Sequence, residues 1–182
     1  MHGIISVNVR RDNRLVHQSE QKNLIVRSGY ELLLDKTSVD ANTSLLNYCL
    51  LGNGSTNPLF NDDGLSGSTI SEIGLTNINN GSMQPVDQLD NIIDNQLYYV
   101  RHQFLTKATQ YMTISEVAIG RKDDNNVFTL FAKSLTKDSN GLAARFEVAP
   151  GDDIEVIYTV YCFKDVNIYT DRKKDVELSN EF

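Results

Sequence analysis

The sequence has few of the residues on which disulfide-bonded domains, metal sites and aromatic binding platforms depend. It contains two cysteines, three histidines and no tryptophan among 182 residues. Cys49 and Cys162 each lie in an apolar stretch, where a free thiol behaves as a small buried hydrophobe, so we expect no disulfide. No apolar run reaches the length of a membrane span, and the first residues lack the features of a secretion signal.

Positive charge is also scarce. There are 17 Lys and Arg against 24 Asp and Glu, a formal net charge of -7, and this charge repels phosphate backbones. We therefore expect no nucleic-acid partner, and we interpret the short basic runs at 10–11 and 172–174 as solvated turns. A chain of this length fits a single domain with one core.

No residue pattern predicts an active site or a cofactor. His2, His17 and His102 stand apart from one another and from the cysteines, so neither a zinc site nor a histidine-based catalytic site is indicated. The chain lacks the G-x-S-x-G elbow and the phosphate-binding glycine loop. Aspartates at 62–63, 123–124, 138 and 152–153 could bind Ca²⁺, but without the complete calcium-loop pattern we expect them to close turns. The prediction is a non-enzyme with no cofactor and no metal.

The first half of the chain predicts a hairpin, one helix and a long polar region. Residues 1–20 read as an N-terminal hairpin or arm that turns at Asp12-Asn13. The stretch NLIVRSGYELLLDK places Tyr30, Leu33 and Leu34 on one helical face after Ser28, the candidate N-cap. Residues 53–96, rich in Asn, Asp, Gly and Ser, predict a loop-rich insertion with strand pieces only at 70–75 and 89–93.

The second half is dominated by strand patterns. Five apolar runs with β-branched and aromatic residues follow one another, separated by polar turns: QLYYVRHQFLTK, YMTISEVAIG, NVFTLFAKSL, LAARFEVAP and DIEVIYTVYCF. In YMTISEVAIG, strand alternation groups Met112, Ile114, Glu116 and Ala118 on one face. The fold class that follows is mainly β: an antiparallel, jelly-roll-like sandwich over residues 1–163 with one short helix and long loops. Residues 164–182 are expected to form a C-terminal strand or tail.

The last apolar strand supplies the candidate contact residues. Alternate residues from Ile154 to Cys162 form one apolar face, and Ile157, Tyr161 and Phe163 make the opposite face apolar as well. A strand that is apolar on both faces lies either between two layers or at a subunit contact. Ile157, Tyr161 and Phe163 are therefore predicted to contact another subunit, with a partly covered surface face as the alternative.

The order of these segments resembles a group of tailed-bacteriophage virion proteins. The resemblance lies in NLIVRSGYELLL, LLNYCLLGNGSTNP, ISEVAIG, LFAKSLTKDSNG and FEVAPGDDIEVIYTV, which together cover about residues 23–163. Ala118 stands where glycine is usual, Lys133-Ser134 where Arg-Ala is usual, and the Asn-rich region from about residue 76 to 96 is longer than in such relatives. The resemblance implies a structural virion part with no catalytic residue to transfer.

Resemblance and composition together favour one function over its alternatives. The prediction is a homo-oligomeric connector of the tail, neck or fibre base, located in the virion, made in the host cytoplasm and bound to other virion proteins. The alternatives are a carbohydrate-binding module that recognises the host surface through residues 53–96, a capsid-surface decoration or head-fibre protein, and a hydrolase on the same scaffold.

Overall fold

The computed structural model describes residues 2–34, 45–83 and 96–164 of the chain. Every strand pairing among them is antiparallel, and one short helix accompanies the strands. The mainly-β, sandwich-like class predicted from the sequence is thus confirmed. None of the described residues form a helix with the length and apolar character needed to cross a bilayer.

Eleven strands are described, and nine of them form one continuous sheet. The strands are β1 (His2–Arg11), β2 (Arg14–Lys22), β3 (Leu24–Ile25), β4 (Tyr48–Gly52), β5 (Thr69–Met83), β6 (Gln96–Lys107), β7 (Met112–Ile114), β8 (Glu116–Lys122), β9 (Phe128–Leu135), β10 (Phe146–Val148) and β11 (Asp153–Lys164). The large sheet has the order β2-β1-β11-β6-β5-β4-β8-β9-β3, while β7 and β10 form a separate pair. The helix α1 (Arg27–Leu34) follows β3.

The long strand β5 divides the large sheet into two layers. Its residues 69–74 pair with β4, whereas its residues from Leu75 onward pair with β6, with a bulge between Leu75 and Asn77. We call β2-β1-β11-β6 with the second part of β5 the front sheet, and the first part of β5 with β4-β8-β9-β3 the back sheet. The two end strands β2 and β3 are separated in the chain by Asn23 alone, so the layers are also linked on their other side.

The core lies between the front and back sheets. Its largest fully buried side chains include Tyr158 and Phe104 from the front sheet and Phe131 from the back sheet. Tyr158 and Phe131 meet edge to face with ring centroids 6.2 Å apart. This confirms the predicted inner face of β11, whose residues Ile154, Val156, Tyr158 and Val160 are buried.

Two predicted turns have the backbone geometry that their residues favour. Asp12 and Asn13 have φ values of 50° and 65°, as a type I′ hairpin turn between twisted strands requires. Gly151 has a φ of 92° after Pro150, and the Asp152 amide donates to the Ala149 carbonyl at 3.1 Å, as in a type II turn. The Pro150-Gly151 corner therefore delivers the chain into β11 as predicted.

The helix is present, but the face that carries Tyr30, Leu33 and Leu34 is exposed, and the predicted cap is wrong. Tyr30, Leu33 and Leu34 are exposed, the last by 79%, whereas Gly29 is buried. A Cβ atom at Gly29 would overlap the Phe131 carbonyl oxygen, so the glycine allows the helix backbone to approach β9 closely. Ser28 lies inside the helix, and its hydroxyl donates to the Leu130 carbonyl at 2.6 Å instead of capping the first turn.

The predicted loop-rich insertion over 53–96 is wrong in its middle part. Thr69–Met83 is a single strand of 15 residues, which includes the predicted strand piece 70–75. The ladder with β6 imposes the strand on Asn77, Asn79 and Asn80 despite their low β-propensity. The second predicted piece, 89–93, lies outside the described residues.

The alternation predicted for YMTISEVAIG is interrupted at Ser115, which separates β7 from β8. Ile114 packs in the same core as Val117 and Ile119 instead of sharing a face with Glu116 and Ala118. The tail predicted after β11, like the strand suggested within it, lies outside the described residues.

Candidate subunit-contact surface

The outer face of the front sheet, here called the front face, carries two of the three predicted contact residues. Ile157 pairs with Ser6 on one side and Gln103 on the other, and Tyr161 pairs with His2 and Tyr99. Both Ile157 and Tyr161 are half-buried. Phe163 continues β11 opposite Leu97, but its side chain lies outside the described part of the chain.

Aromatic rings and a guanidinium group form one end of the front face. The Tyr99 and Tyr161 rings lie 6.5 Å apart between centroids, and the Arg101 guanidinium carbon lies 5.6 Å from the Tyr99 centroid, within range of a cation-π interaction. Gly81 pairs with Tyr99, and a Cβ atom there would lie 2.7 Å from the tyrosine hydroxyl. The glycine therefore leaves room for the Tyr99 ring beside β5.

The other end of the front face is a polar network centred on Glu155. Its carboxylate accepts hydrogen bonds from Gln103 Nε2 at 2.7 Å, Asn8 Nδ2 at 3.0 Å and Arg10 at 3.4 Å. Burial opposes ionisation of Glu155, but these hydrogen bonds and the Arg10 charge outweigh it and lower its pKa. The front face thus has an aromatic end, which includes Arg101, and a polar end centred on Glu155.

The outer face of the back sheet, here called the back face, is covered by the chain itself. Helix α1 packs on β9, and the irregular segment 53–68 lies over β8. Beneath them, a second apolar cluster contains Val26, Leu50, Ala118 and Leu130, with Leu65 from the covering segment packed against it. Helix α1 and residues 53–68 therefore cover this apolar cluster on the back face.

A buried ion cluster attaches the covering segment to the back face. Glu116 on β8 is fully buried and Lys133 on β9 is 1% exposed. Lys133 Nζ lies 2.9 Å from a Glu116 oxygen and 3.0 Å from an Asp62 oxygen. Glu116 also accepts hydrogen bonds from the Ser66 amide at 2.9 Å and its hydroxyl at 2.9 Å. Two strands and one loop are thus joined through a single ammonium group.

All three members of this cluster are held in their charged forms. Burial works against charge on each, but hydrogen bonding and ion pairing outweigh it, so the pKa of Glu116 and of Asp62 is lowered and that of Lys133 is raised. The segment 53–68, which is part of the 53–96 region that the carbohydrate-binding alternative assigned to a ligand, is bonded to its own sheet. The sequence did contain a signal for this pair, because ISEVAIG and LFAKSL each place one charge inside an apolar strand.

Among the histidines and cysteines whose side chains are described, His17, His102 and Cys49 lie on three different strands, β2, β6 and β4. His17 stacks on Phe146 with ring centroids 4.9 Å apart, while His102 lies on the inner side of the front sheet, 6.4 Å from the Tyr158 ring. Cys49 is a free, buried thiol whose pKa is raised by burial. Within the described ranges, no three His, Cys, Asp or Glu side chains are grouped as a metal site requires. The side chains of His2 and Cys162 are not described.

Three of the aspartates considered as calcium ligands, Asp123, Asp138 and Asp152, accept hydrogen bonds that close turns. Asp123 accepts from the Asn125 and Val127 amides at 3.0 and 2.8 Å, and Asp138 accepts from the Asn140 and Leu142 amides at 2.9 and 3.0 Å. Asp152 accepts from the Ala149 amide and from two nitrogens of Arg11, each at 2.8 Å. These contacts agree with the turn-closing role expected from the sequence.

Searches against family models, curated proteins and solved structures found no match for this chain. The two main surface features of the chain are a front face that the described residues leave uncovered, which carries Ile157 and Tyr161, and a back face covered by the chain's own residues.

Proposed function

We propose that the protein is a structural component of a tailed-phage virion that works through protein-protein contacts. Its most specific form is a homo-oligomeric connector of the tail, neck or fibre base, with the front face as the contact between copies. This role requires neither a catalytic residue nor a cofactor from the chain. The same kind of contact would also serve a decoration or head-fibre protein on the capsid surface.

The observation that carries the proposal is the composition of the uncovered front face. Tyrosine and arginine are enriched in protein interfaces, and here Tyr99, Arg101 and Tyr161 stand beside Ile157. β1 and β11 share nine paired positions, so five strands at about 4.8 Å spacing give a face of roughly 24 by 30 Å. That area is close to the roughly 800 Å² per partner of a standard interface.

The motif resemblance supports the virion assignment. The quoted segments fall, in order, on α1, β4, β7 with β8, β9 and its following turn, and β10 with β11. Segments that are far apart in the sequence therefore contribute to one folding unit. This is expected if the order of the segments reflects a fold shared with the virion proteins that they resemble. Glu116 and Lys133, which belong to two of these segments, are directly bonded.

Light scattering across a concentration range, followed by binding to purified phage particles, tests this proposal. We expect a discrete oligomer for the wild type and a lower mass for the double variant Ile157→Ser/Tyr161→Ser. Leu34→Ser and Tyr111→Ser, at apolar and aromatic side chains that are 79% and 81% exposed elsewhere, are the matched controls and should keep the wild-type mass. A wild type that stays monomeric and does not bind particles or their components would overturn the proposal.

Carbohydrate binding is the second candidate, and the Tyr99 and Tyr161 rings on an open sheet face favour it, because sugar rings pack on aromatic faces. The site would then lie on the front face and not on residues 53–68. Glycan-array binding that is lost in Tyr99→Ser and retained in Tyr111→Ser would favour this role over a subunit contact.

A further inference from the structure

A separate cleft of about 460 Å³ opens at the edge where β2 passes into β3. Four chain segments form its walls: the β2–β3 junction, residues 57–58, the end of β9 and the turn after it. We call it the lysine cleft, and its lining residues are Lys22, Asn23, Leu24, Asn57, Pro58, Lys133, Ser134, Leu135, Lys137, Gly141, Leu142 and Ala143. Its volume is within the range of small-ligand and peptide sites.

The lysine cleft carries positive charge in a protein whose net charge is -7. Three lysines and no acidic residue line it. The charge of Lys133 is balanced by Glu116 and Asp62, whereas Lys22 and Lys137 make no ion pair with any residue in the described ranges. The neighbouring Asp138 carboxylate accepts from the amides of its own turn. Two lysine charges therefore remain available to an anionic ligand.

The remaining walls are aliphatic. Leu24 is 36% exposed and Leu142 is 66% exposed, and Pro58 completes this side of the lysine cleft. No aromatic side chain is among the lining residues, so the cleft lacks the stacking surface that sugar rings prefer. Lysines beside exposed leucines instead suit a peptide that combines carboxylates with aliphatic side chains.

One stretch of this sequence has the matching composition: DVELSNEF at 175–182, with three carboxylate side chains and three apolar residues. β11 also leads toward the correct end of the molecule. Tyr161 pairs with His2, and Lys22 pairs with Ile4, which is two residues further along β1. β11 therefore reaches Lys164 at the same end of the front sheet as the lysine cleft.

We propose that the lysine cleft binds the acidic segment 175–182 of its own chain. The proposal goes beyond the proposed function, since the cleft and the segment belong to one chain and the contact does not involve the front face. Carboxylates of the segment pair with Lys22 and Lys137, and its aliphatic side chains pack on Leu24 and Leu142. Such a contact is charge-dependent and weakens as salt screens it.

Fluorescence anisotropy with a labelled DVELSNEF peptide tests the proposal. The receptor is the full chain carrying Asp175→Asn, Glu177→Gln and Glu181→Gln, so that its own acidic segment does not compete. We expect saturable binding that weakens at least tenfold when Lys22→Gln and Lys137→Gln are added. Lys107→Gln, at an exposed lysine on the front sheet, is the control and should leave binding unchanged.

Two further probes define the ligand class. A charge-reversed peptide, KVKLSNKF, should not bind, and an oligogalacturonide should not compete, because it offers carboxylates without aliphatic side chains. No peptide binding, equal binding by the Lys22→Gln/Lys137→Gln receptor, or full displacement by the oligogalacturonide would each overturn the proposal. The proposed function is tested independently by Ile157 and Tyr161, which do not line the cleft.

Discussion

The front and back faces of the sandwich differ in how far the rest of the chain covers them. Both sheets bury one side in the common core, and the outer side of each sheet is either covered by other residues or left uncovered. The back face is covered by α1 and residues 53–68, over an apolar cluster and the Glu116–Lys133 pair. The front face receives no such cover from the described residues, although Ile157, Tyr161 and Tyr99 lie on it.

This difference separates structural residues from candidate contact residues. A buried charge that is fully paired, such as Lys133, stabilises the fold, and its removal should lower the free energy of unfolding. Half-buried aromatic and aliphatic residues on the front face, such as Tyr161, should contribute little to the stability of the isolated chain. Their removal should instead weaken its association with a partner. Variants on the two faces should therefore fail in different assays.

The largest effect is expected from breaking the buried cluster. Lys133→Met leaves Glu116 charged and buried without its cation, which costs about 3–5 kcal/mol of unfolding free energy. Adding Glu116→Gln should recover much of this loss, since the unpaired charge is removed. Urea denaturation measures both values, and proteolysis should show earlier cleavage within 53–68. Lys107→Met, at an exposed ion pair, should change stability by less than about 1 kcal/mol; a comparable loss there would contradict the explanation.

A smaller effect is expected from lifting the helix off the back face. Gly29→Ala places a methyl group against the Phe131 carbonyl, and we expect overpacking to cost about 1–3 kcal/mol despite the better helix propensity of alanine. Leu34→Ala, on the exposed side of the same helix, should be nearly neutral. Thermal unfolding of the two variants measures the contrast, and a stabilised Gly29→Ala protein would show that the helix contact is looser than described.

The smallest effect concerns pH and the inner side of the front sheet. Burial lowers the pKa of His102 from 6.5 to about 4, so between these values the unfolded chain binds a proton that the folded chain does not. Stability should therefore fall as pH decreases from 6.5 to 4, by at most about 1.4 kcal/mol per pH unit from this group. His102→Gln should flatten the pH dependence of the urea midpoint in this window. An NMR titration of His102 with a midpoint near 6.5 would contradict the assignment.

Sequence reasoning succeeded where local chemistry decides the structure. The bounds of β6, the Asp12-Asn13 hairpin and the Pro150-Gly151 corner depend on strand propensity and turn residues, which are local properties. Sequence reasoning failed where residues distant in the sequence determine the structure. The buried side of α1 is set by the Phe131 carbonyl, and the length of β5 is set by pairing with β6. Lys133 and Asp62 meet across 71 positions of sequence, a separation over which no periodicity gives information.

For the candidate contact residues, the alternation of β11 was sufficient to place Ile157 and Tyr161 on one face. It could not supply Tyr99 and Arg101, because these belong to β6 and join that face only through strand register. The lysine cleft could not be predicted from the sequence either, since its lysines come from β2, from β9 and from the turn that follows β9. Surfaces built from several strands require the pairing order, which the sequence does not state.

The position of β11 between β1 and β6 also has a consequence for the order of folding during synthesis. All back-sheet strands have been made by Leu135, whereas the front sheet requires the strand that begins at Asp153. Until β11 is available, β1 and β6 have no common neighbour, and non-local pairings of this kind form slowly. The back sheet can therefore form while the ribosome is still adding residues, and the front face comes into existence last. A nascent chain thus has no complete front face until β11 has been made.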